Sequence, residues 1–239
     1  MFDPALIPQA NDLLAQATPQ EVLQWAARQF QPRLLMATAF GAEGCCLLHM
    51  LAEIAPATAV INLDTGYQFP ETLALRERIF QKYGLAVEMV QPELPVPEYE
   101  KLHGGPVYAR DTAQCCADRK IKPLHAALAR HRPAAWISAI RQDQTTDRAV
   151  ANVIEWDKKF HLVKLNPLLR WTKKDVWAFI VKNDVPYNDL HDRGYPSVGC
   201  WPCTRSVQAG EDDRAGRWAG TAKKECGLHV VEHKDGSGI

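Results

Sequence analysis

Four of the seven cysteines fall into two close pairs, Cys115-Cys116 and Cys200-Trp201-Pro202-Cys203. Thiols clustered in this way can bind metal or exchange disulfides. The two-residue spacing of the second pair serves zinc, iron–sulfur and redox chemistry alike. A redox pair is expected close after a strand, at a helix N-terminus. Here Pro196-Ser197-Val198-Gly199 precedes the pair in an irregular stretch, which weakens that reading. The adjacent pair discriminates further. Structural zinc takes its ligands from spaced positions, because tetrahedral angles need slack in the chain. Neighbouring thiolates can instead ligate two different irons of one cluster. The stretch from Ala113 to Lys122 is polar and basic, unlike a packing site. Cys115, Cys116, Cys200 and Cys203 are therefore expected to form one four-thiolate metal site, with an iron–sulfur cluster preferred to zinc.

The remaining thiols divide. Cys226 lies in Lys223-Lys224-Glu225-Cys226-Gly227-Leu228-His229. It reads either as a spare exposed thiol or as a nucleophile, with two lysines favouring the thiolate and Gly227 supplying a joint. Cys45 and Cys46 run into Leu47-Leu48-His49-Met50-Leu51, apolar company that suits packing.

A second chemistry is anion binding. Gly41-Ala42-Glu43-Gly44 joins a strand pattern to a helix pattern, which gathers backbone N–H groups and a helix N-terminus at one point. No Gly-Lys-Ser/Thr follows, so it is not a Walker loop. Arg119 and Lys120 follow the first cysteine pair, Arg141 and Arg148 flank a strand end, and Arg205, Arg214 and Arg217 follow the second pair. Guanidinium groups bind phosphate or sulfate oxygens bidentately. Their recurrence beside cysteines and strand ends points to an anionic small molecule near the metal site.

The elements that must position these groups alternate. Apolar runs Leu34–Thr38, Ala57–Leu63, Leu85–Val90, Ala134–Ile140 and Leu162–Leu165 read as strands. Helical patterns are a capped helix opening at Thr18-Pro19-Gln20-Glu21, one after Gly44, Glu71–Tyr83, Ile121–Arg130, and one capped by Thr172 and Asp175. Such alternation predicts an α/β fold, a doubly wound and mostly parallel sheet. Ligands in such sheets sit at the carboxyl ends of the strands. Phe40–Gly44, Asp64–Gly66 and Arg141–Arg148 are therefore expected to converge on one crevice. After about Asn183 the periodicity fades into an irregular, Cys-rich C-terminal segment. The expected organisation is one domain over 1–218 and a mobile tail over 219–239.

Balanced charge, 28 basic against 28 acidic residues, gives no bulk reason for a nucleic-acid or membrane partner. Met1 to Gln16 does not read as a secretory signal, and no apolar run spans a bilayer. A cytoplasmic location is therefore expected, and an odd cysteine count in a cytosolic chain argues against a disulfide framework.

These residues resemble the assimilatory sulfonucleotide reductase family, in particular its iron–sulfur type acting on adenosine 5′-phosphosulfate. The resemblance runs from about Arg33 to His229. Thr38-Ala39-Phe40-Gly41-Ala42-Glu43 resembles the family's modified pyrophosphatase loop, and Leu63-Asp64-Thr65-Gly66 its Leu-Asp-Thr-Gly motif. Cys115-Cys116-Ala117-Asp118-Arg119-Lys120, Cys200-Trp201-Pro202-Cys203-Thr204-Arg205, Arg214-Ala215-Gly216-Arg217-Trp218 and Glu225-Cys226-Gly227-Leu228-His229 resemble its cluster, basic and tail motifs. One departure is clear. The family commonly has two adjacent arginines followed by x-Gln-Ser, whereas here Arg141 precedes Gln142-Asp143-Gln144-Thr145.

The resemblance implies an adenine-nucleotide alpha-hydrolase-like fold and a [4Fe-4S] cluster on Cys115, Cys116, Cys200 and Cys203. It implies Cys226 as the nucleophile that forms an S-sulfocysteine, assisted by Lys120, Arg214 and Arg217. Thr38, Phe40, Gly41, Asp64, Thr65, Gly66, Arg141 and Arg148 would hold the nucleotide, and His229 could orient or polarise. Thioredoxin, or glutaredoxin, would release sulfite in sulfate assimilation toward cysteine biosynthesis, and a homo-oligomer is expected. Rival readings are reduction of 3′-phosphoadenosine 5′-phosphosulfate, a nucleotide-loop sulfurtransferase or ligase acting on RNA, and a zinc-bound interaction module. The RNA enzyme should carry Ser-Gly-Gly-x-Asp-Ser, which Thr38 to Glu43 does not match.

Overall fold

The helices begin where local chemistry opens them. Thr18 Oγ1 accepts the Glu21 N–H at 3.3 Å while Glu21 Oε2 accepts the Thr18 N–H at 2.7 Å, a reciprocal cap. The Thr172 and Asp175 pair repeats the device at 3.2 and 2.8 Å. The computed structural model describes residues 2–221, so Cys226 and His229 lie outside the described residues.

Strands β1 (Leu34–Thr38), β2 (Ala59–Leu63), β3 (Val87–Val90), β4 (Ala135–Ile137), β5 (Ile154–Asp157) and β6 (Leu162–Leu165) form one sheet in the spatial order β3-β2-β1-β4-β6-β5. All neighbours are parallel except β5 and β6. Met36 of β1 pairs with Val60 on one side and Ile137 on the other. The antiparallel edge strand β5 was not expected. Its four residues, Ile-Glu-Trp-Asp, carry too short an alternation to stand out from the preceding polar stretch.

Helices α1 (Ile7–Leu13), α2 (Pro19–Phe30), α3 (Ala42–Ile54), α4 (Pro70–Tyr83), α5 (Val96–His103), α6 (Thr112–Cys116), α7 (Lys122–His131), α8 (Thr146–Ala149) and α9 (Lys173–Lys182) surround the sheet. Of these, α1, α5, α6 and α8 went unread because each is too short to show a helical period. A π-helical turn, Ala117–Ile121, joins α6 to α7. None of the helices is long and apolar enough to cross a membrane among the described residues.

Alternate strand residues feed two cores. Leu34 and Met36 of β1, with Ala135 and Ile137 of β4, join the larger one with α2 and α3. Leu35 and Trp136 face the smaller one with Leu124 of α7. Both sheet faces are thus covered, as a parallel sheet requires.

Candidate active site

Strand order reverses between β1 and β4. That switch point, at the carboxyl ends of the strands, is where a doubly wound sheet opens a crevice. A cleft of about 490 Å³ lies there. Its floor is the turn from β1 to α3, where Thr38 Oγ1 accepts the Phe40 N–H at 3.0 Å. Phe40 takes a left-handed φ of 55°, uncommon for a side chain of its size. Thr38, Gly41, Glu43 and Gly44 line the cleft, so the N-terminal dipole of the 13-residue α3 faces its interior.

Cations wall the cleft: Lys120, Arg141, Arg148, Lys173, Arg214 and Arg217. Arg141 is buried. Its Nε donates to Glu43 Oε1 at 2.9 Å and its Nη1 to Asp143 Oδ2 at 3.0 Å. Gln144 ties the same loop together, donating to Glu43 Oε1 at 3.1 Å and accepting from Arg148. Lys173 pairs with Asp213 at 2.7 Å across the rim. At the opposite end Arg217 Nη1 donates to Ser197 Oγ and to the Val198 carbonyl at 3.2 and 3.1 Å, with its guanidinium over the Trp218 ring. A Cβ on Gly199 would lie 2.3 Å from Arg217 Nη2, so only glycine admits that approach.

The two cysteine pairs meet beside this cleft. Cys115, Cys116, Cys200 and Cys203 line one small cavity. Long-range pairing brings them there: Gln68 bridges to Cys200, and the Trp201 N–H donates to the Tyr67 carbonyl at 2.8 Å. Thr204 bridges to Arg217, and the Trp218 N–H donates to the Cys203 carbonyl at 2.9 Å. Burial pushes the Cys115 thiol up to about 12, and Cys116, Cys200 and Cys203 push the same way while Arg119 opposes them. Cys203 is raised by burial and then by Cys200 and Cys116. As thiolates the four would repel each other, and bound positive charge would relieve that. Cys115 and Cys116 are successive helical residues, about 100° apart around the axis, so they leave the helix in different directions. Among the described residues no group of three His, Cys, Asp or Glu side chains is arranged to hold a single metal ion.

The structure sorts the residues read from sequence. Thr38, Gly41, Thr65, Lys120, Arg141, Arg148, Arg214 and Arg217 all line the cleft. Phe40, Asp64 and Gly66 do not, and each has a physical reason. The Phe40 side chain is fully buried in the larger core. Asp64 spends both oxygens on the protein, accepting from the Gly66 N–H at 3.0 Å and from Gln91 Nε2 at 2.8 Å. Gly66 has φ +76° and packs against Val96 and Arg119.

Two of the arginines read from sequence, Arg119 and Arg205, do not line the cleft and serve elsewhere. Arg119 is 2% exposed, and it donates to the Thr65 carbonyl at 2.6 Å and the Leu94 carbonyl at 3.0 Å. It lies between the rings of Tyr67 and Tyr99, so its work is to hold loops. Arg205 forks onto both oxygens of exposed Glu211 at 2.8 Å.

Sequence reasoning missed several lining groups: Asn62, Gln68, Ser138, Lys173 and His191. Asn62 and Ser138 had a signal, being polar residues inside apolar strand runs. Asn62 Nδ2 donates to the Thr38 carbonyl at 2.8 Å and its Oδ1 accepts from Gln68 at 2.7 Å. Lys173 and His191 had none.

A mostly parallel sheet with a cationic cleft at its switch point defines a nucleotide-binding α/β protein of the adenine-nucleotide alpha-hydrolase-like kind. Residues 33–206 match the Phosphoadenosine phosphosulfate reductase domain, and the chain belongs to that family. A Gloeobacter violaceus protein named Phosphoadenosine 5′-phosphosulfate reductase is 45% identical over 215 residues, 89% of this chain and 88% of its own. A Halalkalibacterium halodurans protein named Adenosine 5′-phosphosulfate reductase is 40% identical over 224 residues, 93% and 96% respectively. The crystal structure of phosphoadenylyl-sulfate (PAPS) reductase from Candida auris, a phosphate complex, superposes with a TM-score of 0.78 at 31% identity, covering 87% of this chain and 98% of that one.

Proposed function

We propose that the chain reduces adenosine 5′-phosphosulfate to sulfite and AMP in assimilatory sulfate reduction, in the cytoplasm, with thioredoxin as the electron donor. One observation carries the reading: Thr65, Lys120, Cys200, Arg217 and Trp218 line both the nucleotide cleft and the cysteine cavity. A reactive anion in the cleft would lie against the thiol site. The names of relatives at 40% and 43% identity point to the same chemistry.

The four thiols fit a [4Fe-4S] cluster better than zinc. They surround a cavity, and adjacent cysteines on a helix diverge, as ligands of two different irons would. Cys115, Cys116, Cys200 and Cys203 would hold the cluster, which supplies a fixed electrostatic and structural centre beside the substrate anion.

The chain's own groups do the chemistry. Lys120, Arg214 and Arg217 offset charge on the phosphosulfate, so that an anionic thiolate can approach. The Cys226 thiolate attacks the sulfate sulfur, the bond from sulfur to the bridging oxygen breaks, and AMP leaves with the electron pair. Cys226 then carries the sulfonate. A thioredoxin thiolate attacks the Cys226 sulfur and sulfite leaves with that bond's electron pair. The second thioredoxin thiol displaces Cys226 as thiolate, so the dithiol supplies both electrons. Cys45 and Cys46 are buried, with thiols raised by burial, which leaves them unsuited to resolve the intermediate.

The test is anaerobic purification followed by turnover with thioredoxin. Wild type should contain iron and acid-labile sulfide and release sulfite. Cys226→Ser should keep the iron and lose sulfite. Turnover by that variant removes Cys226 from the mechanism, and zinc without iron removes the cluster. A second reading, reduction of the 3′-phosphorylated nucleotide, is favoured by the names of the Gloeobacter relative and the Candida auris structure. Parallel kinetics on the two nucleotides separates them.

A further inference from the structure

The charges of the cleft are unevenly placed. Six cations line it against four carboxylates, Glu43, Asp143, Asp212 and Asp213, among the described residues. A 3′-phosphate would add roughly 1.5 to 2 further negative charges to a phosphosulfate ligand at neutral pH.

Position sharpens the count. Lys120 and Arg217 border the cysteine cavity, so the anionic end of a ligand belongs there. The nucleoside end then lies toward the switch point between β1 and β4, which the loop after β4 borders. There Arg141 is held by two carboxylates at once, Glu43 at 2.9 Å and Asp143 at 3.0 Å. The guanidinium is over-neutralised, and Asp143, which lines the cleft and is 41% exposed in its side chain, presents negative charge to whatever occupies that half. Arg148, bonded to Gln144, brings the whole loop with Glu43 only to neutrality.

We propose that Asp143 is a specificity-determining residue that disfavours nucleotides carrying a second phosphate on the ribose. It acts by cancelling Arg141 and by direct repulsion. The inference rests on the adenosine 5′-phosphosulfate reading and names the feature that would set it apart from reduction of the 3′-phosphorylated nucleotide. Glu43 also neutralises Arg141, but it belongs to the floor of the cleft, where its loss would disturb Gln144 and the turn into α3.

The test compares kcat/KM for the two nucleotides, and Kd for AMP and adenosine 3′,5′-bisphosphate, in wild type, Asp143→Asn and Asp143→Glu. Wild type should favour the unphosphorylated member of each pair. Asp143→Asn should narrow both ratios about tenfold through better use of the bisphosphorylated ligand, because one unit of partly screened charge is removed. Asp143→Glu should keep the preference, which a merely structural role would not ensure. Ratios unchanged in Asp143→Asn, or a wild type that favours the second phosphate, overturn the inference while leaving sulfonucleotide reduction standing. Turnover of neither nucleotide by wild type takes down both.

Discussion

The Thr65 hydroxyl lies 3.2 Å from the Cys200 sulfur. It joins the loop after β2, on the wall of the nucleotide cleft, to the cysteine cavity across 135 positions of sequence. The same hydroxyl accepts the Tyr67 N–H at 3.2 Å. Thr65→Val keeps the shape and removes both contacts, each worth about 1 kcal/mol. We expect kcat/KM for adenosine 5′-phosphosulfate to fall about tenfold, on the same scale, and, if the four thiols hold the proposed cluster, iron to leave faster in the presence of a chelator. Wild-type values for both would show that the link is incidental.

Gly199 is defined by Arg217. A methyl at this position would sit 2.3 Å from Nη2, and Arg217 would have to leave its hold on Ser197 and Val198. Displacing a charge-stabilising group by about 1 Å costs on the order of 10²-fold in rate. Gly199→Ala should lose that much kcat/KM with an unchanged far-ultraviolet circular dichroism spectrum. Retained activity would mean that Arg217 does not serve the reaction from this position.

Arg119 tests a structural assignment. Its planar fork reaches two carbonyls on different loops and stacks between two tyrosines, a geometry that lysine cannot copy. Arg119→Lys should lower the unfolding free energy by about 2–4 kcal/mol, read from urea denaturation. A change within about 0.5 kcal/mol, the size of an ordinary surface substitution, would contradict the role.

His191 predicts a pH effect. Burial holds its imidazole below the usual 6.5, and the Tyr195 backbone, Glu43 and Asp192 only partly oppose this. Among the described residues neither ring nitrogen finds a hydrogen-bond partner of good geometry, while the ring meets the Trp177 ring edge-on at 5.4 Å. Above 6.5 the residue is neutral in both the folded and the unfolded chain. As pH falls below that value the unfolded chain takes up the proton first, so stability is lost toward acid. His191→Phe keeps the ring packing and removes the titration. Its urea midpoint should decline less than that of wild type between pH 7 and pH 5.5, whereas parallel declines would sink the assignment.

Much of this protein was legible in its chain. Apolar runs placed β1 and β6 to the residue, because a buried parallel strand is an unbroken local pattern. The caps at Thr18 and Thr172 were readable because they close over three residues. The two cysteine pairs and the arginines beside them were legible as candidates, since residue type and spacing are local facts, and the fold brings the four cysteines to one cavity beside a cation-lined cleft.

What the sequence could not determine is which way each side chain turns once distant segments meet. Asp64, Thr65 and Gly66 stand together in one motif, yet only Thr65 faces the cleft. Arg119, 54 positions away, takes the Thr65 carbonyl and packs on Gly66, while Gln91 takes Asp64. Arg141 read as a cation for an anion, but Glu43, 98 positions away, and Asp143 share its charge. Lys173 and His191 carry no local mark and reach the cleft only through tertiary packing, in which α9 lies against α3. Local pattern decides the elements. Long-range packing decides which of their polar groups are spent on the protein and which line the cleft, because a buried polar group must find a partner wherever the tertiary fold supplies one.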